Sequence, residues 1–177
     1  PENFAKPDME VLAAVESKIY PVVKEFFSLS DEKMGGVYRS ELQLMTAVPG
    51  SVHQAWHKDN RARGLSVIVP LVDFTEENGG TQLLLGSHES PCPIGPSEGA
   101  RTVVAPAGSV VAYDSRTIHR GLGNSTSSSR PALIFCYDRE TTPPPGCGTA
   151  GSIGTGLQGR AIDVVQGAVG EVMGGRG

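Results

Sequence analysis

The sequence predicts a mainly β chain, folded as a double-sheet jelly roll or small barrel and flanked by one N-terminal helix. Three observations carry that expectation. Glycine and proline make up 36 of 177 residues, against a usual share of about 12%, and that excess favours short strands joined by many turns. About eight short apolar segments separated by turn residues follow one another between Val37 and Asp138, the pattern of a closed or double-layered β architecture. Helical spacing of apolar residues is confined to the two ends of the chain. An immunoglobulin-like sandwich competes, but the cysteine and tryptophan spacing it prefers is absent. The length suits one domain with a sizeable core.

From the N-terminus, Met9, Leu12, Ala13, Ile19, Val22, Val23, Phe26 and Phe27 fit one helical face, with Asp8 as N-cap and Pro21 expected to kink or split the element. Strands are expected at Val37–Val48, Val52–His57, Leu65–Asp73, Thr81–Leu85, Arg101–Val104, Ser109–Tyr113, Arg116–Arg120 and Pro131–Asp138. After Thr141 come Pro143, Pro144, Pro145 and a glycine-rich run that reads as linker. Ile162, Val165, Val169 and Met173 allow a last helix over Arg160–Met173, weakened by Gly167 and Gly170. The expected organisation is therefore an N-terminal helical segment (1–36), a β core (37–140) and a Pro/Gly-rich tail (141–177).

Composition excludes several partners. Fifteen Lys and Arg against nineteen Asp and Glu give a net charge of −4, so there is no basic excess to neutralise phosphates and nucleic acid is not an expected partner. No apolar run approaches the roughly 20 residues needed to span a bilayer, and no basic-then-apolar leader opens the sequence, so no membrane partner is expected. Three cysteines, Cys92, Cys136 and Cys147, are odd in number and lack paired spacing. They argue against a disulfide framework and for a reducing, intracellular and cytoplasmic setting.

The chemistry gathers around the histidines, of which there are four, at 53, 57, 88 and 119. His57 and Asp59 form an H-x-D pair at the expected end of a strand, where residues two apart point to one face and present an imidazole and a carboxylate to one metal ion. Such a pair also arises by chance as a surface histidine and aspartate, so a third ligand is needed. His119, in a later expected strand, supplies one, with a turn histidine as its bland alternative. Two histidines and a carboxylate on one face of a metal leave positions open for co-substrate and dioxygen, the arrangement of non-haem Fe(II) oxygenases. Arg130 starts the next expected strand, eleven positions on. It is either an ordinary exposed arginine or a fork that grips a dicarboxylate.

The ordered set Gln54-x-x-His57-x-Asp59, Leu65–Asp73, Asn78-Gly79-Gly80-Thr81, Gly86-Ser87-His88, His119 and Arg130 resembles the phytanoyl-CoA dioxygenase family over about Leu42 to Tyr137. The resemblance implies a cupin-like double-stranded β-helix. It implies Fe(II) held by His57, Asp59 and His119, and the C5 carboxylate of 2-oxoglutarate held by Arg130. Gln54 and Thr81 match positions that touch the co-substrate in some members, although Gln54 needs a local twist or bulge to reach the ligand face. His88 matches a structural turn, and Trp56 should face away from the metal and pack. Arg61 and Arg63 either meet an anionic substrate or are solvated. A short Asp59–His119 interval and Leu84-Leu85-Gly86, where many members carry proline, leave few residues for a substrate lid, and nothing signals a coenzyme A surface.

The implied activity is a 2-oxoglutarate-dependent dioxygenase that takes dioxygen and hydroxylates a small organic substrate, releasing succinate and CO2. Asp59 fills the position that iron halogenases leave open, which favours hydroxylation over halogenation. Two other readings stay open: a catalytically inactive jelly-roll interaction module, and a cupin-like metalloenzyme without 2-oxoglutarate, against which Arg130 argues.

Overall fold

Leu12, Val15, Ile19, Val23, Phe26 and Phe27 recur at three- and four-residue intervals, and they give helix α1 (Met9–Phe27) one apolar face. In the computed structural model, which describes residues 9–29, 36–89 and 99–139, Ile19 and Val23 are fully buried on that face. The helix continues through Pro21 instead of splitting there. Proline removes one i→i−4 hydrogen bond, but Ile19, Val23 and Phe27 on either side are seated against the sheet, so packing holds both halves in one element. The expected N-cap Asp8, the candidate helix at Arg160–Met173, the tail, Cys92 and Cys147 lie outside the described residues.

Among the described residues seven strands follow: β1 (Val37–Ala47), β2 (Leu65–Pro70), β3 (Thr81–Leu84), β4 (Ala100–Val103), β5 (Val111–Asp114), β6 (His119–Gly121) and β7 (Arg130–Arg139). They form two antiparallel sheets, ordered β1-β7-β2-β5 and β4-β3-β6. This is the expected jelly-roll architecture. Two corrections concern elements. Val52–His57 is not a ladder strand; Gln54 N donates to Gly121 O (2.9 Å) and His57 meets His119 in an isolated bridge. Its partner β6 has three residues and already pairs with β3, so only these few bonds form. Arg116–Arg120 begins as a turn closed by Thr117 N on Asp114 O (2.7 Å), and the strand starts only at His119.

Two apolar clusters fix the layers. Alternation on β2 sends Leu65, Val67 and Val69 towards α1, where they meet Val37, Phe135 and Tyr137. Ser66 and Ile68 point the other way. Ile68, Tyr113 and Ala132 from the large sheet pack with Leu83 from the small one and with Phe74, so the second cluster lies between the sheets. Because β2 is covered on both faces, all six of its residues are buried. Among the described residues, no helix is long and apolar enough to cross a membrane.

Candidate metal centre

His57 and Asp59 sit on the extended stretch between β1 and β2, and His119 opens β6. The backbone brings them together. His57 N donates to His119 O (3.0 Å) and His119 N returns the bond to His57 O (2.9 Å). Asp59 N and Asn60 N both donate to Ser115 O at 3.0 Å, which anchors the carboxylate beside the histidine pair. Gly64 closes the loop behind it because no side chain fits: a Cβ there would stand 2.4 Å from Asp138 Oδ1.

One ligand atom from each of His57, Asp59 and His119 lies within 4.8 Å of the others. Asp59 Oδ1 is 3.8 Å from His57 Nε2 and 3.3 Å from His119 Nε2. Each Nδ1 faces a carbonyl, Ala55 O at 2.8 Å for His57 and Thr117 O at 3.0 Å for His119. A carbonyl only accepts, so each Nδ1 carries the hydrogen and each Nε2 presents its lone pair to the common centre. Asp59 Oδ2 is held from behind by the Ser66 hydroxyl (2.6 Å) and the Tyr113 hydroxyl (3.2 Å), and Ser115 Oγ lies 2.9 Å from Ser66 Oγ. These three hydroxyls back the carboxylate, and the sequence reading missed them. The one available signal was Ser66, a polar residue interrupting an apolar run at an inward-facing position.

Electrostatics agree with the geometry. Burial raises the Asp59 carboxyl, but the adjacent His119, the Ser66 hydrogen bond and His57 outweigh it and hold the group at about 2. Burial and the neighbouring His119 lower His57. Burial also lowers His119, yet contact with Asp59 prevails and the net shift is upward. Two imidazole nitrogens and one ionised carboxylate oxygen make a donor set that suits Fe(II) and other first-row divalent ions. It is the one such group of three among the described residues.

Arg130 heads β7 and lies buried between the sheets, its guanidinium 4.8 Å above the Phe74 ring. Nη2 donates to Leu122 O (3.1 Å), whereas the buried Nε has no partner. Burial pushes its pKa down, and an unpaired guanidinium edge in an interior is the feature an anionic ligand would satisfy. Thr81 is buried on β3 opposite Gly121. Gln54 turns towards the same glycine: its Oε1 accepts from Gly121 N (2.7 Å), and Nε2 lies 3.7 Å from Met45 Sδ. Outside any ladder strand, Gln54 is held at both ends of its amide by Gly121 and Met45.

The remaining candidates have other contacts. His88 Nε2 lies 3.7 Å from Glu89 Oε1, and Ser87 closes the adjoining turn through Ile118 N and Leu84 O. Trp56 stacks under Arg120, 4.5 Å from the ring centroid, on the face opposite His119. Arg63 donates to Phe26 O (2.7 Å) and ties the loop to α1, while Arg61 is exposed. His53 Nδ1 accepts from Gly123 N at 2.7 Å.

Residues 2–132 match the family described as phytanoyl-CoA dioxygenase (PhyH). The chain belongs to the PhyH family. Solved structures agree on the fold. AviO1 from Streptomyces viridochromogenes Tue57 is 21% identical, over 81% of this chain and 66% of its own, with a TM-score of 0.66. SnoN, a non-haem α-ketoglutarate-dependent epimerase from nogalamycin biosynthesis, is 23% identical over 84% of this chain and 66% of its own (TM-score 0.64). EvdO2 from Micromonospora carbonacea var. aurantiaca, solved in complex with 2-oxoglutarate, is 19% identical over 78% and 68% (TM-score 0.63). This PhyH chain thus spans about two thirds of the length of these proteins.

Proposed function

We propose that this PhyH-family chain is a non-haem Fe(II)- and 2-oxoglutarate-dependent oxygenase that hydroxylates a small organic substrate. One observation carries the reading: a two-histidine, one-carboxylate donor set shares the space between the sheets with a buried arginine whose Nε lacks a partner. SnoN, solved with Fe3+ and α-ketoglutarate, and EvdO2, solved with 2-oxoglutarate, support the choice of cofactor and co-substrate. When bound, Fe(II) with 2-oxoglutarate and dioxygen supplies a two-electron oxidation, the co-substrate leaving as succinate and CO2.

The chain's own contributions follow from its geometry. His57 and His119 offer Nε2 because their Nδ1 hydrogens are engaged by carbonyls. Asp59 offers Oδ1 because Ser66 and Tyr113 occupy Oδ2. A carboxylate at that position also leaves no room for a halide ligand, so hydroxylation is favoured over halogenation. Arg130, seated on the Phe74 ring, would hold the distal carboxylate of 2-oxoglutarate through its unpartnered Nε. Thr81 and the Gln54 amide would contact the co-substrate; the Gln54 oxygen already accepts from Gly121, so its Nε2, now near Met45 Sδ, would be the donor.

Anaerobic titration with Fe(II) and then 2-oxoglutarate tests the assignment, followed by aerobic incubation with mass analysis of succinate and product. We expect one Fe(II) and one 2-oxoglutarate per chain, and a product heavier by one oxygen. Absence of Fe(II) binding overturns the reading. An epimerised product of unchanged mass, as for an epimerase such as SnoN, would replace hydroxylation.

A further inference from the structure

Register carries one row of side chains across the whole large sheet. Glu41 on β1 faces Cys136 on β7, Cys136 faces Ser66 on β2, and Ser66 faces Tyr113 on β5. Directly paired residues share a face. Ser66 and Tyr113 hold Asp59, so Glu41 stands on the metal side of the sheet. Gln43, two residues on, stands there too.

Regular alternation would not put Glu41 there. Arg39 points outward to α1, where its Nη1 meets Glu16 Oε1 at 2.7 Å, and a residue two further on would point the same way. The strand is irregular between Arg39 and Glu41. Ser40, the extra residue, turns its hydroxyl to Asp138, Glu41 swings inward, and Leu42 returns to the α1 side. A bulge that re-aims one side chain beside a site is a recurrent device.

What it aims inward is a half-buried carboxylate. Gln43 Nε2 and the Cys136 thiol hydrogen-bond to it, and the charges acting on it are those of Asp59 and Asp138, both anionic. Among the described residues no cation pairs with it. A glutamine would keep the shape without the cost of burying a charge. Its backbone stands two strands from Ser66, about 10 Å at ordinary strand spacing, with Cys136 between them on the same face.

We propose that Glu41, with Gln43 beside it, orients the substrate, and that the substrate presents hydroxyl or protonated amine donors to this wall. An anionic group there would face Glu41, Asp59 and Asp138 together, and a bare acyl chain would bring the carboxylate no donor beyond Gln43 and Cys136. The proposal rests on the oxygenase reading for the word substrate, but the wall itself is testable without it.

The test compares wild type with Glu41→Gln, which keeps the side chain's size. Fe(II) and 2-oxoglutarate are titrated anaerobically into both, and then 3-amino-1,2-propanediol, methyl β-glucopyranoside and octanoate are titrated into the metal-free and loaded forms. We expect equal Fe(II) and 2-oxoglutarate binding, no octanoate binding, and at least about tenfold weaker binding of a donor-bearing probe by the variant, the loss of one charge-assisted hydrogen bond. Loss confined to the amine assigns a cationic substrate, and loss for both probes assigns a polyol. Octanoate binding as tight as the donor probes overturns the proposal, and so does equal donor binding by the two proteins, absence of binding included. Failure of Fe(II) to bind wild type overturns the oxygenase reading instead, and the variant's effect on the metal-free form still decides the role of Glu41.

Discussion

Single residues carry most of the chemistry, and each makes a distinct prediction. His119→Ala removes one of three converging ligand atoms, so Fe(II) binding should be lost while the circular dichroism spectrum stays folded; retained stoichiometry would refute the donor set. Arg130→Ala deletes the charged fork, and the 2-oxoglutarate concentration required for turnover should rise by a hundredfold or more, from about 3–5 kcal/mol for one partner of a buried ion pair. Ser66→Ala leaves Asp59 Oδ2 with the Tyr113 hydroxyl alone, and Fe(II) affinity should fall roughly tenfold, as for other groups that orient metal ligands. Asp59 also sets a pH dependence. Its folded value of about 2 lies below the ordinary 3.8, so its contribution is present above 3.8 and is lost as pH falls through 2. In the metal-free protein Asp59→Asn should remove up to about 2 kcal/mol at neutral pH and flatten the acid limb of the unfolding curve. At this scale the candidate ligands were legible because the chain has only four histidines, and the structure brings His57, Asp59 and His119 together. Ser66, Tyr113 and Ser115 escaped because a hydroxyl's role depends on which carboxylate it meets, and only the fold decides that.

At the scale of elements, α1 was legible because six apolar positions keep one helical period; it does not split at Pro21, and Val22, expected on the apolar face, is exposed. Val52–His57 was misread for a physical reason. Alternation reports which side chains point inward, whereas a ladder also needs a partner long enough to receive it, and β6 has three residues. The bulge at Ser40 was likewise invisible, since no glycine or proline marks it. The loop from Asp59 to Gly64 makes the element-scale prediction. Gly64→Ala places a methyl against Asp138 Oδ1, Ser115 Oγ and Tyr137 O, two of them side-chain atoms in the shell behind Asp59. We expect a loss of about 1–3 kcal/mol in urea unfolding, as for other overpacked sites, accompanied by weaker Fe(II) binding. Unchanged stability would mean that the loop relaxes freely.

For the whole molecule, the two-sheet architecture could be read from turn density and segment count, but the strand order could not. β1 pairs with β7 along almost its full length, joining residues such as Val37 and Arg139, and no local pattern announces a partner about a hundred positions away. Such pairing makes contact order high and folding slow for the size. Phe135, fully buried between α1 and the large sheet, belongs to this framework and not to the metal centre. Phe135→Ala should cost about 3–5 kcal/mol while leaving Fe(II) stoichiometry intact in the molecules that remain folded.

The reciprocal pair of backbone hydrogen bonds between His57 and His119 fixes the two imidazoles relative to each other. Two imidazoles mounted on mutually bonded backbones are already a chelate before any ion arrives, so uptake of the metal has little chain left to order and loses little entropy. Loading and unloading can then proceed without breathing of the strands, and the amide hydrogens of His57 and His119 should exchange with solvent equally slowly in the empty and the loaded protein.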